Sequence, residues 1–194
     1  MRISRTEIEH LGIAWLVLGL CFSIRYLLLQ PHLFPRFFLL ALIGLGAAFI
    51  GHELAHKLVA QKFGYQAEFR LWWLGLVLAA LFAFLTMGRV LFAAPGAVYI
   101  LAYTRPREEG VIAVSGPLAN LVLATLFYLL SQGVGFIATI GQWGFMINLW
   151  LAAFNLLPIP PLDGRKVMSW SLRAWIAVTI IAWGLFGLIM AGIL

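Results

Sequence analysis

Charge is scarce in this 194-residue chain: Asp, Glu, Lys and Arg together make up 10% of it, where soluble domains carry about 25%. Cysteine is nearly absent. With Cys21 alone, neither a disulfide framework nor a thiolate metal site can be built. Aspartate occurs once, as Asp163, and histidine four times, as His10, His32, His52 and His56. No internal repeat and no low-complexity segment is present. What fills the chain instead is apolar: 63% hydrophobic residues and a mean hydropathy of +1.01 exclude an ordinary soluble core and make lipid the expected solvent.

Apolar runs lie near Leu11 to Leu29, Phe37 to Lys62, Leu71 to Met87, Val111 to Leu130, Phe136 to Leu157 and Trp170 to Leu194. Most approach the roughly 20 residues a spanning helix needs. The expected fold is therefore an all-α polytopic membrane protein with about six transmembrane helices, in which residues 1–194 form one integral membrane domain. Arg2 and Arg5 precede the first run as they would in a signal peptide. That run is long, contains Arg25 and has no small-residue cleavage site, so it reads as a first helix.

The net charge of +6 raises the question of a nucleic-acid partner. Its 13 Lys and Arg residues lie mostly between the apolar runs, however. If the segment from Leu71 to Tyr103 leaves and re-enters on one side, Arg2, Arg5, Lys62, Arg70, Arg89, Arg105, Arg107, Arg165, Lys166 and Arg173 share a face, with Arg36 opposite and Arg25 close by it. Such asymmetry marks a cytoplasmic face, and the expectation is a multi-pass protein of the cell membrane with no nucleic-acid partner.

Two places break the helical pattern. From Val90 to Leu101, Pro95-Gly96 separates two β-branched or aromatic runs, which reads as a membrane-associated β-hairpin or, equally, as a tight turn between short crossing helices. A hairpin edge in lipid must be buried, face water or be completed by another strand, and an extended substrate is one such strand. Ser115-Gly116-Pro117 reads as a helix start, with Asn120 one turn from Gly116. Farther on, Pro158, Pro160 and Pro161 end the fifth span ahead of Asp163-Gly164.

Within the second run stands His52-Glu53-Leu54-Ala55-His56. On a helix, side chains four apart share a face about 6 Å apart, so both imidazoles can address one ion while Glu53 reaches its water side. Ionisable residues inside a span are costly and ordinarily functional. Interhelical hydrogen bonding, a structural ion and a proton relay are the other readings of the pair. A catalytic zinc takes three protein ligands and keeps one position for water. Asp163, at the end of a proline-broken span, is the candidate third ligand, its other reading being an N-cap for the last helix. Lys57 is expected to snorkel towards the basic face, and Glu7 is grouped with the charged stretches outside the spans.

In these three motifs, His52 to His56, Ser115 to Asn120, and Asn155 to Gly164, the chain resembles the site-2 protease family of intramembrane zinc metalloproteases. The resemblance covers a catalytic core of about residues 37–166. It implies one zinc ion held by His52, His56 and Asp163, with Glu53 activating water, Asn155 steadying the substrate carbonyl or its oxyanion, and Asn120 lining the substrate cleft. About seven residues, roughly 10 Å, separate the His52–His56 pair from Lys62, so the active site is expected towards the basic, cytoplasmic face, and the need to unwind a helix before cutting it makes single-pass transmembrane proteins the expected substrates. The β element near Val90 to Leu101 is favoured by the same likeness. The chain departs from the family in having Arg165 where many members have a second glycine, and in leaving no room for an appended PDZ or CBS domain. A metal or ion transporter, or a relative that binds membrane proteins without cutting them, are the competing functions.

Overall fold

The structure is a computed structural model that describes residues 2–89 and 95–192. Its elements in chain order are α1 (Arg5–Leu29), α2 (Phe34–Leu45), a π-helical turn (Gly46–Ile50), α3 (Gly51–Lys62), β1 (Ala67–Leu71), α4 (Trp73–Leu85), β2 (Gly96–Ile100), α5 (Pro106–Ser131), α6 (Gly135–Asn155), α7 (Asp163–Trp170) and α8 (Leu172–Met190). Among the described residues, five helical segments are long and apolar enough to cross a membrane: α1, the continuous run from Phe34 to Lys62, α5, α6 and α8. Their outward faces carry exposed side chains such as Leu126, Leu129, Ile180 and Ile181.

The sixth expected span is shorter. The 13 residues of α4 cover about 20 Å at 1.5 Å per residue, against roughly 30 Å of hydrocarbon. Strands flank it. β1 and β2 pair antiparallel, with Leu71 opposite Gly96 and Ala67 opposite Ile100. The chain therefore returns after residue 95 to the place it left at residue 71, and the segment makes no net crossing. The β element expected from Val90 to Leu101 is present in its second half as β2, whose partner is supplied by β1 from before α4. Residues 90–94, its first half, lie outside the described residues.

Loop contacts bring together the basic stretches around Arg2, Lys62 and Arg105, whereas Arg89, expected on the same face, follows Gly88, which packs against Ile24 and Arg25 at the other end of α1. The Arg2 amide donates to Gln61 Oε1 at the end of α3 (3.4 Å), and the Tyr65 hydroxyl donates to Glu108 in the first turn of α5. The expected helix start at Ser115 is corrected: α5 begins at Pro106, well before that triplet, and runs through Pro117. Arg105, Pro106 and Glu108 supply the start signal, the Arg105 amide donating to Glu108 Oε2 (3.3 Å). Pro117 is fully buried within α5, which packs against α3 and α6.

The apolar core joins Leu11, Ala14 and Leu18 of α1 to Ala41, Leu45 and Phe49 of the second span, Phe69 and Leu71 of β1, and Ile147 of α6. The rings of Phe49 and Phe69 meet edge to face at 5.5 Å, an arrangement that adds roughly 1 kcal/mol to area burial. Polar groups tie α1 to its neighbours as well. The Trp15 indole donates to the Leu42 carbonyl (2.8 Å). Glu7 and Lys57, expected respectively in a charged stretch and at the lipid surface, form a salt bridge with no side-chain exposure on either partner. The second Glu7 oxygen accepts from the Phe69 amide (3.0 Å), and His10 Nδ1 accepts from the Leu71 amide (3.2 Å). The outer edge of β1 is thereby closed by α1, because unpaired amides in a lipid-facing protein must find a partner.

Candidate metal centre

His52 and His56 come directly after the π-helical turn. A π turn holds more residues than an α turn, so it rotates α3 relative to α2, and here both imidazoles are buried between α3, α5 and α7. Their Nε2 atoms lie 3.0 Å apart, and each lies 3.1 Å from Asp163 Oδ2. The three ligand atoms form a nearly equilateral triangle.

Two features bring this triangle together. Gly116 of α5 sits against the imidazoles so closely that a Cβ there would fall 2.5 Å from His56 Nε2 and 2.6 Å from His52 Nε2. Gly164 does the same for the third ligand, since a Cβ there would fall 2.1 Å from the Leu156 carbonyl oxygen. α7 can start against the end of α6 only with a glycine at that position. Arg165 is exposed on the outside of α7, so a side chain in place of the family's second glycine leaves this turn undisturbed. The N-cap of α7 is Leu162, with no side-chain capping bond; the Asp163 carboxylate faces the histidines instead.

The unliganded nitrogens are held from behind. His56 Nδ1–H donates to the Ile112 carbonyl (2.8 Å), and a carbonyl accepts only, so Nε2 presents its lone pair to the site. His52 Nδ1–H donates to Asn120 Oδ1 (2.6 Å). Asn120 in turn donates through Nδ2 to the Ala48 carbonyl (2.8 Å) and to Asn148 Oδ1 (3.1 Å). Asn120 has no exposed surface. The cleft-lining role that the resemblance implies has nothing to act through, and the side chain orients His52. Burial opposes the charge on Asp163, but His56 and His52 beside it outweigh that and hold the carboxyl below the ordinary carboxylate range.

The donor set fits zinc. Two imidazole nitrogens and one carboxylate oxygen are zinc ligands, and a tetrahedral ion with bonds of about 2.0–2.1 Å needs its donors roughly 3.3 Å apart, close to the spacing seen. Among the described residues, no fourth His, Cys, Asp or Glu joins the group. A coordination position is left for water, which is the pattern of a catalytic site.

That position faces a cavity of about 410 Å3 lined by Glu53, Asn155 and Lys166 together with Phe49, Trp150 and residues of β2. Glu53 Oε2 is buried with no hydrogen-bond partner among the described residues, and the Val98 amide of β2 approaches the same carboxylate. Asn155 donates through Nδ2 to the Leu151 carbonyl (2.9 Å) while lining the cavity. Alternation in an antiparallel pair decides which edge of β2 is open. Pro95 and Leu101 bond to β1 through Trp72 and Gln66, so the amides and carbonyls of Gly96, Val98 and Ile100 point away from β1. These three residues line the cavity.

The sequence reading missed Asn148, the Ile112 carbonyl and the Gly116 approach. An amide in the middle of an apolar span was the available signal for Asn148.

Known proteins resemble this chain along most of its length. The family model for Peptidase family M50 matches residues 40–142 and 132–182. The protein named "Putative zinc metalloprotease MJ0611" from Methanocaldococcus jannaschii is 43% identical over 181 residues, 91% of either chain. "Putative zinc metalloprotease YwhC" from Bacillus subtilis is 33% identical over 148 residues, 66% of either chain. "Putative zinc metalloprotease Rip3" from Mycobacterium tuberculosis is 31% identical over 128 residues, 63% of this chain and 28% of its own length. No solved structure matches significantly.

Proposed function

This chain belongs to peptidase family M50, and from that premise we propose that it is an intramembrane protease that hydrolyses peptide bonds within or near the transmembrane segments of single-pass membrane proteins. Its zinc metalloprotease character and its multi-pass membrane architecture stand on the family, the relatives and the five apolar segments. The observation that supports cleavage inside the membrane is the placement of Glu53 and the ligand triangle in one cavity, walled by spanning helices and bordered by the open edge of β2.

His52, His56 and Asp163 would hold the zinc ion, whose chemistry is to lower the pKa of a water from 15.7 towards about 7 and to polarise a carbonyl. Glu53, with one oxygen unpaired among the described residues, accepts the proton that the attacking water loses and delivers it to the leaving amine as the C–N bond breaks. Asn155 can turn its amide from the Leu151 carbonyl to the developing oxyanion, a contact typically worth about 3 kcal/mol.

A substrate helix keeps its carbonyls in hydrogen bonds, so it must unwind before it can be cut. Gly96, Val98 and Ile100 offer a strand edge on which the unwound segment can recover those bonds. Substrates with helix-weakening residues are therefore preferred. The concentration of Lys and Arg on the face nearest the site points to the cytoplasm and to the cell membrane as the location.

The test is a cleavage assay in proteoliposomes on a panel of single-pass segments, run with zinc, after chelation, and with Glu53→Gln. Zinc-dependent cutting within or beside the apolar segment, lost in Glu53→Gln, is the expected result. Undiminished cutting by Glu53→Gln would remove Glu53 as the base, and cutting confined to soluble peptides would remove the intramembrane assignment.

A further inference from the structure

Asn148 lies mid-way along α6 with no exposed surface and touches none of the ligand atoms. Its side chain nevertheless ends a chain of hydrogen bonds that starts at His52. Asn148 Nδ2 donates to the Gly144 carbonyl (2.8 Å), and Asn148 Oδ1 accepts from Asn120 Nδ2 (3.1 Å). Asn120 Nδ2 also donates to the Ala48 carbonyl (2.8 Å), and Asn120 Oδ1 accepts from His52 Nδ1 (2.6 Å).

Every bond in this chain has one permitted direction. The Gly144 and Ala48 carbonyls are backbone acceptors and cannot donate. Turning Asn148 over would set its oxygen against the Gly144 carbonyl and its NH2 against that of Asn120. Turning Asn120 over would set its oxygen against both the Ala48 carbonyl and Asn148 Oδ1. It would also present NH2 to His52 Nδ1, placing the imidazole proton on Nε2, between His56 and Asp163, where a metal would need a lone pair. Because Asn120 and Asn148 are both fully buried, such mismatches are costly.

From this geometry we infer that Asn148 is a positioning residue for the metal centre: it locks the orientation of the Asn120 amide and, through it, the tautomer in which His52 Nε2 is free to bind zinc. The inference rests on His52 being a zinc ligand. It assigns to α6 a part in metal binding in addition to its share of the cavity wall.

The experiment compares zinc dissociation constants, by chelator competition, for the full chain in detergent and for Asn148→Leu, Asn148→Asp, Asn120→Leu and the Asn148→Leu/Asn120→Leu pair, alongside the unfolding midpoint of each zinc-free protein. Loss of an outer partner of a ligating histidine weakens metal binding 10–100-fold. Because the Ala48 carbonyl still opposes a flip, Asn148→Leu is expected at about tenfold and Asn120→Leu nearer a hundredfold. Asn148→Asp, neutral in apolar surroundings, donates with its O–H and accepts with its C=O, and stays close to the parent.

The pair should equal Asn120→Leu alone, since Asn148 acts through Asn120. Unchanged affinity in folded Asn148→Leu, or additive losses in the pair, would overturn the inference. A role confined to packing would lower the zinc-free midpoint and leave affinity alone, which also overturns it. Should Asn148→Leu fail to fold, 15N shifts of His52 in the zinc-free parent decide: a proton on Nδ1 supports the lock, and a proton on Nε2 refutes it. A parent protein that holds no zinc removes the metal-site reading and the inference together, whereas a zinc-binding parent indifferent to Asn148 removes the inference alone.

Discussion

Gly116→Ala tests the packing of the metal centre most severely, because the change adds one carbon and no polarity. That carbon would lie 2.5 Å from His56 Cε1 and Nε2 and 2.6 Å from His52 Nε2, where uncharged atoms need about 3.5 Å. Relief requires roughly 1 Å of movement, shared between α5 and the two imidazoles, while a metal site tolerates about 0.2 Å in its ligand distances. The imidazoles are pinned from behind by Asn120 and the Ile112 carbonyl, so they cannot retreat without breaking those bonds. Zinc affinity should fall at least a hundredfold, which is about 2.7 kcal/mol. Overpacking should cost the zinc-free fold about 1–3 kcal/mol. Chelator competition reads the first quantity and thermal unfolding in detergent the second, with Gly12→Ala as the control because a Cβ there meets nothing within 4 Å. Zinc affinity within threefold of the parent in Gly116→Ala would refute the close approach.

Three further outcomes are expected from the same contacts. Removing one partner of the buried Glu7–Lys57 pair, as in Glu7→Leu, should cost about 3–5 kcal/mol, and the Glu7→Gln/Lys57→Met double change should recover most of it; chemical unfolding in detergent measures both, and a single change under 1 kcal/mol would show the pair to be solvated. Gly164→Ala would drive a methyl to 2.1 Å from the Leu156 carbonyl oxygen, so it should lower zinc stoichiometry by displacing α7, as read by metal analysis after dialysis; full stoichiometry would place the Asp163 turn elsewhere. Glu53→Gln should keep one zinc per chain while cleavage falls at least a hundredfold, the usual contribution of a general base, so loss of metal in this variant would make Glu53 a ligand.

What could be read from the residues was whatever depends on neighbours along the chain. The four-residue spacing of His52 and His56 puts both on one helix face in any helix, and the apolar runs announce spans by length alone. Asp163 stood out because no other aspartate exists in the chain. What depended on tertiary partners was not legible. β2 takes its partner from before α4, a choice that no local turn signal encodes. α5 starts at Pro106 and runs on through the buried Pro117, although the Ser-Gly-Pro triplet locally favours a start. Lys57 and Glu7 each look like surface charges until the fold sets them against one another without water. The π turn before His52 leaves no mark in composition, and it aims the imidazoles at Asn120 and Asp163.

X-ray absorption at the zinc edge on the purified chain, with Asp163→Ala as comparison, tests the central claim that His52, His56 and Asp163 hold one ion. One zinc per chain, bound by two imidazole nitrogens and oxygen donors at about 2.0–2.2 Å and much weakened in Asp163→Ala, is the predicted result. An identical spectrum and undiminished zinc content in Asp163→Ala would contradict it.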